Sequence, residues 1–377
     1  MRSCLVVALI AACHSSAHSP DAAESTGDGR TGDSAGSGSD AVVSSFVFVG
    51  CNRIQKADLD PAGDPSSANL AELKQDFADI AALPDRPKYW FFVGDLVTNL
   101  VSGSTTMQAQ LDAWAQVYAA SPVASMLELV PVVGNHEMLY KTTVGNAKVE
   151  LSNPKADAVW RAWLATNHFA KHGGNGPTNA GSNDDALQDD QSSLTYSFDD
   201  GSAHFIVLDT DSWTTTPDPT TGDTQIGWVA QHWLAADLAA AQANPAITGI
   251  YVFGHKPLVA PGTSSDGTLN AAQVVAVEQL LDSTPKVKGY FAAHVHEWFS
   301  TKLPGARGVY QIVAGNGGSE LETAWTEPQP YFGFTLVRIY ASGKLGVVSY
   351  RRPAPTPYNA TTTTPAVADP ELVISAQ

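Results

Sequence analysis

Five short apolar runs in this chain each stop abruptly at a polar residue of a type that binds metal ions. They are residues 46–50 before Cys51-Asn52, 90–94 before Asp95, 129–134 before Asn135-His136-Glu137, 250–254 before His255, and 289–293 before His294-Val295-His296. Runs this short, rich in β-branched and aromatic residues, predict strands buried on both faces. In four of them a glycine stands immediately before the polar residue, where the missing Cβ lets the backbone turn tightly and approach a ligand. Helical spacing fills the intervals. Leu70, Leu73, Phe77 and Ile80 share one face of a helix predicted over residues 67–82, with Ser67 as its cap. Further helices are predicted over residues 106–119, 157–165, 231–242 and 271–281. Residues 194–198 and 204–208 flank the turn Asp199-Asp200-Gly201-Ser202 as a hairpin, and residues 333–340 and 345–350 form a second one around Ala341-Ser342-Gly343-Lys344. Helices alternate with strands first and hairpins accumulate later, which predicts mixed sheets covered by helices on their outer faces.

The ends of the chain read differently. Residues 1–13 have the grammar of a secretory signal peptide, with Arg2 followed by an apolar stretch from Leu5 to Ala12 too short to span a membrane. Ile10-Ala11-Ala12-Cys13 fits a bacterial lipobox, so the chain reads as an exported lipoprotein, periplasmic or at the cell surface, whose only membrane contact is a lipid on Cys13. Residues 14–41 are Ser-, Gly-, Ala- and Asp-rich and form a tether without enough apolar surface to order itself. One domain is expected over residues 42–352, followed by an irregular Pro/Thr/Ala-rich tail over 353–377. Within the domain, residues 141–191 read as a long, partly helical functional loop.

Charge narrows the partners. The formal net charge of -17 leaves no basic footprint for nucleic acid. With Cys4 and Cys13 in the leader, Cys51 is the only thiol of the folded part, and no intrachain disulfide is expected there.

In α/β sheets the binding crevice lies at the carboxyl ends of the strands. Five strand ends therefore bring Asp95, Asn135, His255, His294 and His296 toward one point, an inventory for a metal site. A carboxylate has two oxygens and can link two cations, while imidazole suits Zn, Fe, Mn or Ni. Two ions about 3.5–4 Å apart can clamp the attacking and leaving oxygens of a phosphoryl displacement.

The blocks Gly94-Asp95-Leu96-Val97, Gly134-Asn135-His136-Glu137, Gly254-His255-Lys256-Pro257 and Ala293-His294-Val295-His296, in this order, resemble those of the calcineurin-like metallophosphoesterases, the group that includes purple acid phosphatases. The hairpin ending at Asp209 also looks like one these enzymes carry. The resemblance covers about residues 45–350. It implies a four-layer α/β/β/α sandwich with two mixed sheets, and hydrolysis of a small phosphorylated substrate, a monoester or diester, by metal-activated water. It implies two divalent transition metals (Zn, Mn or Fe), with a single ion as the alternative. Asp95 would bridge them, Asn135, His255 and His294 would complete one site, and His296 would bind the other. His136 would stabilise or protonate the leaving oxygen, with Glu137 orienting its ring.

The first block departs from the resemblance. Cys51 and Arg53 stand in Gly50-Cys51-Asn52-Arg53 where the family carries Asp and His. Three readings follow. Cys51 thiolate, with Asn52, binds a soft metal such as Zn; or the first site is weakened and Arg53 offers a permanently charged fork to phosphate, the favoured reading; or Asp58 or Asp60 supplies the missing carboxylate. A degenerate, non-catalytic protein that binds one metal and a phosphorylated ligand is the rival function. Asn99, Tyr140 and Trp298 are candidates for the pocket wall, Gly315-Asn316-Gly317-Gly318 reads as a turn beside the site, and His168 and His172 read as surface or loop histidines.

Overall fold

Side chains alternate along each buried strand, and this alternation builds the layers. The computed structural model describes residues 40–54, 70–177, 186–215, 226–262, 267–326, 328–355 and 364–375. The signal segment, Cys13, the tether up to residue 39, Asp58, Asp60 and the Ser67 cap lie outside them.

The first sheet runs in the order β16 (Val367–Ala368), β15 (Leu345–Pro353), β14 (Tyr331–Tyr340), β1 (Val42–Val49), β2 (Tyr89–Val93) and β3 (Glu128–Val132), with β17 (Leu372–Ile374) also on β15. The second runs β12 (Trp298–Lys302), β13 (Tyr310–Ala314), β11 (Val287–Ala292), β10 (Gly249–Gly254), β7 (Ala203–Leu208) and β6 (Tyr196–Asp200). Strands β1, β2 and β3 are parallel, as are β7, β10, β11 and β13, while β14, β15, β12 and β6 pair antiparallel. Both sheets are therefore mixed.

Phe46, Phe48, Phe91, Phe205, Phe253 and Phe291 point into the space between the sheets. Phe91 and Phe253 stack there with centroids 3.8 Å apart and planes within 7°. The alternate residues Val47, Val49, Trp90 and Phe92 face α1 (Leu70–Ala81), α2 (Thr105–Ala119) and α4 (Ala156–Thr166). On the far side, Ile206, Ile250 and Val252 meet α5 (Gln231–Ala243) and α6 (Ala271–Ser283). The result is the four-layer α/β/β/α sandwich.

Two segments differ from their sequence reading. Inside the expected loop, β4 (Leu139–Val144) and β5 (Ala147–Ser152) form a hairpin around Gly145-Asn146, with Gly145 at φ 61°. A Gly-Asn step between β-branched residues is a hairpin signal, and here it outweighs the polar composition. The tail expected to be irregular adds β16 and β17 to the edge strand β15. The remaining short pair is β8 (Ser212–Trp213) with β9 (Ile226–Trp228), and none of the helices of the described residues is long and apolar enough to cross a membrane.

His204 on β7 clamps the second sheet to its helix. Its ring bonds Asp199 at 2.6 Å and Asp237 of α5 at 2.9 Å. Burial opposes the charged ring, but the hydrogen bonds to Asp237 and Asp199 raise its pKa above the ordinary value. A raised folded-state pKa gives stability that is fully present below the unfolded value near 6.5 and lost as pH rises through the folded value. His204→Gln should cost roughly 1–3 kcal/mol at pH 6 and progressively less toward pH 9. Urea unfolding across that range checks this; a cost independent of pH would refute it.

Candidate metal centre

Five of the parallel strands each deliver one side chain to the same end of the sandwich. Cys51 follows β1, Asp95 follows β2, Asn135 opens the short helix α3 (Asn135–Met138) after β3, His255 follows β10, and His294 follows β11. The turns that aim them are tight. Cys51, Arg53, Asp95 and His294 have φ of 61°, 57°, 57° and 66°, four of the eight non-glycine residues in the left-handed region among the described residues. That conformation costs about 1–2 kcal/mol per residue, and such residues cluster at functional sites.

The donor atoms of four of these side chains converge. His255 Nε2 lies 3.1 Å from Asn135 Oδ1, 3.2 Å from His294 Nδ1 and 3.2 Å from Asp95 Oδ1. Asn135 Oδ1 and His294 Nδ1 are themselves 3.2 Å apart. Ligands bonded at about 2.0–2.1 Å to a tetrahedral ion sit about 3.3 Å from one another, so this spacing suits a divalent cation. The Nδ1–H of His255 donates to the Val93 carbonyl at 2.8 Å, which turns Nε2 into the cluster. Burial opposes charge on His255, but the Asp95 carboxylate raises its affinity for a proton; lone pairs held this way also accept a metal. Burial, with His255 and Lys256 adding, pushes His294 well below the ordinary histidine range.

Asp95 is completely buried. Burial opposes its ionisation, but the facing His136, His255 and Arg53 hold its carboxyl well below the usual range. Oδ1 faces the four-donor cluster, and Oδ2 accepts from Arg53 Nε at 3.1 Å.

The remaining candidates fall in different places. The Cys51 sulfur accepts the His294 N–H at 3.2 Å within the inter-sheet core, and its position stays within 4.8 Å of donor atoms of Asp95 and His255. The Asn52 Nδ2 donates to the Gly317 carbonyl at 2.9 Å and ties the end of β1 to the loop after β13, a bond that does not use its Oδ1. The His296 Nδ1–H donates to the Glu320 carbonyl at 2.7 Å, leaving Nε2 buried without a hydrogen-bond partner among the described residues.

His136 and Glu137 require correction. The Glu137 carboxylate accepts from the N–H groups of Asp95, Val97 and Gly134 at 3.0, 3.1 and 2.8 Å. It braces two loops rather than the His136 ring, which is oriented instead by Nδ1–H donating to the Thr98 carbonyl at 2.7 Å. Burial outweighs the pull of Asp95 and pushes His136 down to about 3. The ring is therefore neutral near pH 7, and its bare Nε2, 3.8 Å from Asp95 Oδ2, takes a proton before it can give one.

A cleft of about 490 Å³ opens beside the cluster, with Arg53, His136, Lys141, Lys256 and His294 among its walls. Its three cations are each ion-paired, Arg53 with Asp95, Lys256 with Asp211, and Lys141 with Glu150, which also lines the cleft. Lys256 is the residue the sequence analysis missed. It follows His255 directly, but its anchor Asp211, 2.7 Å from Nζ, is far away in sequence. Of the pocket-wall candidates, Trp298 donates to Thr335 and packs against the inter-sheet core, while buried Asn99 takes the Gln110 side chain through its backbone N–H. His172 stacks on Phe198 with Nε2 2.7 Å from Glu128 Oε1, and exposed His168 follows the end of α4.

No protein-family profile and no curated protein matches this sequence. Solved structures do. Purple acid phosphatase PPD1 from seeds of yellow lupin (Lupinus luteus) is 17% identical with a TM-score of 0.52, over 86% of this chain and 53% of the lupin chain. PhoD is 12% identical with a TM-score of 0.52, over 90% of this chain and 71% of its own. The fold is that of the metallophosphoesterases. A dimetal phosphatase from Danio rerio also matches, at 13% identity and a TM-score of 0.45, over 89% of this chain and 100% of its own. This metallophosphoesterase fold spans about half the length of the lupin protein. It places the donor cluster at the carboxyl ends of the parallel strands, where such sheets bind ligands.

Proposed function

We propose that the protein is an exported, metal-dependent phosphoesterase acting on a small phosphorylated substrate. The observation that carries this reading is the gathering of Asp95, Asn135 and His294 donor atoms at 3.1–3.2 Å around His255 Nε2, beside a cleft walled by Arg53 and Lys256. These four residues would hold a divalent ion such as Zn, Mn or Fe. When bound, the ion supplies Lewis-acid charge and an acidified water.

The chain's own residues account for the rest of the reaction. Arg53 and Lys256 face the phosphoryl oxygens from the cleft wall. His136 Nε2, with its lone pair fixed by Nδ1–H donating to the Thr98 carbonyl, takes the proton of the attacking water, and the leaving oxygen takes its proton from solvent in the open cleft. One P–O bond forms to water and the ester P–O bond breaks, giving an alcohol and phosphate, or a phosphomonoester from a diester. Export and a lipid on Cys13 belong to the same proposal and rest on the leader sequence of residues 1–13.

The test is turnover of aryl phosphate monoesters and diesters by the full chain with added Zn, Mn, Fe, Co or Ni. His136→Ala should lower kcat by about 10²–10⁴-fold with metal content unchanged. Metal binding without turnover of either ester under any addition would favour a non-catalytic binding protein. The Arg53–Asp95 ion pair at the altered first block is the observation that motivates this alternative.

A further inference from the structure

The two oxygens of Asp95 have different neighbours, and that difference carries an inference about how many metals the site takes. Oδ1 faces His255 Nε2 at 3.2 Å, on the side of Asn135 and His294. Oδ2, the oxygen a bridging carboxylate would give to a second ion, is held by Arg53 Nε at 3.1 Å. We propose that the Arg53 guanidinium occupies the place of the second cation, so that this metallophosphoesterase fold operates with one metal ion and one fixed organic cation. The inference rests on the metal site assigned to Asp95, Asn135, His255 and His294.

Three observations support it. First, the donor set for a second ion is incomplete. The group of Cys, His and carboxylate donors that closes within 4.8 Å among the described residues is Cys51, Asp95 and His255, which share Asp95 with the first site, and His296 does not join them to form a second group. Cys51 already accepts the His294 N–H. Second, the charges do not allow both. Among the described residues Asp95 is the only carboxylate in that donor group, and it is fully buried. Two divalent ions plus a guanidinium would place five positive charges around it, whereas one ion plus Arg53 leaves an excess that a phosphate dianion neutralises. Third, Arg53 is built into position rather than draped over the surface. Its backbone sits at φ 57°, its N–H donates to the Asp95 carbonyl at 2.9 Å, and its own carbonyl accepts the Thr98 hydroxyl. Its side chain is 19% exposed, and it lines the cleft. A guanidinium cannot lose its charge at any working pH, and it presents a planar fork to phosphate oxygens. It thus supplies the electrostatic half of a metal ion's role without activating water.

The arrangement also says what would restore a second ion. The His296 Nε2 lone pair is buried without a hydrogen-bond partner, and Asp95 Oδ2 would be released if Arg53 were gone. The double substitution Cys51→Asp with Arg53→His supplies a carboxylate and an imidazole at the end of β1.

The experiment is to load the full-length protein with Mn(II), remove weakly held ions by gel filtration, and measure metal per chain by mass spectrometry together with the electron paramagnetic resonance spectrum. The wild-type chain is expected to retain about one Mn(II) with an uncoupled six-line signal. The double variant is expected to retain about two, with an exchange-coupled spectrum. Should the double variant fail to fold, the wild-type count and spectrum still decide. Two ions per wild-type chain with a coupled spectrum would overturn the role of Arg53 and leave the phosphoesterase reading intact. One ion without turnover of either ester would support Arg53 and overturn the hydrolase. No retained ion under Mn(II) or Zn(II) loading would overturn both this inference and the metal site beneath it.

Discussion

Asp95→Ala should release the bound metal and lower kcat/KM by on the order of 10³-fold or more, about 4 kcal/mol of transition-state stabilisation. The size follows from how much depends on this carboxylate. Oδ1 meets His255 and also accepts the His136 N–H at 3.1 Å, while Oδ2 neutralises Arg53. Without it, the part-buried Arg53 faces the proposed divalent cation with no anion between them, and the ion is the partner that can leave. The His136 backbone also loses its acceptor, so the ring drifts from the cleft. Asp95→Asn is the milder control, since it keeps the volume and one acceptor oxygen but removes the charge. Metal content by mass spectrometry and turnover of an aryl phosphate check the prediction. An alanine variant that keeps its metal would show that Asn135, His255 and His294 suffice, and that Asp95 serves only Arg53.

Arg352→Leu should destabilise the chain by about 3–5 kcal/mol without touching the active site. The Arg352 guanidinium on β15 is fully buried. It donates to Glu72 at 2.5 Å, to Asp79 at 2.8 Å and to Asp76, all on α1. Asp79 also accepts the Ala366 N–H at 2.8 Å, so the same group fixes the approach to β16. Replacing the arginine leaves Glu72 and Asp76 buried without their counter-ion. Burial already raises Asp76 to about 7 against the pull of Arg352, and removing the guanidinium raises it further. An acid whose folded pKa exceeds its unfolded value near 3.9 stabilises the fold below that value and loses the contribution as pH rises through the folded one. The part of the cost of Arg352→Leu that comes from Asp76 should therefore be absent near pH 4 and grow only as pH rises above about 7, where the wild-type group ionises and the variant's does not. Denaturant midpoints at the two extremes test this; equal costs would mean that the carboxylates find water or other partners.

The strand ends could be read from the sequence because burial on both faces forces continuous apolar runs, and a turn into a ligand site forces glycine at their ends. Gly94 and Gly134 illustrate the second point: a Cβ on either would collide with His255 or Asp95. The ligand cluster was legible for the same reason, since each donor follows its strand immediately. Residues whose partners lie across the fold were not. Nothing beside Lys256 announces Asp211, and nothing beside Arg352 announces the three acids of α1. The misreading of Glu137 has a related cause. Its neighbour in sequence is His136, but as the third residue of a short helix its carboxylate reaches backbone N–H groups of the β2 turn instead. Main-chain carbonyls such as those of Thr98 and Glu320, which set the two histidine tautomers, leave no trace in residue identity at all.

The central place of β1 has a consequence for how the molecule is assembled. Phe46 pairs with Tyr89 of β2 on one side and with Val337 of β14 on the other. The strand that delivers Cys51 and Arg53 is therefore synthesised long before the strand that completes its ladder. Closing so long a loop delays non-local pairing. Until β14 arrives, β1 has one exposed row of amide and carbonyl groups, a template for pairing with another chain. A partly threaded chain thus holds an unfinished first sheet, and the risk of misassembly is concentrated in the interval before the hairpin of β14 and β15 docks.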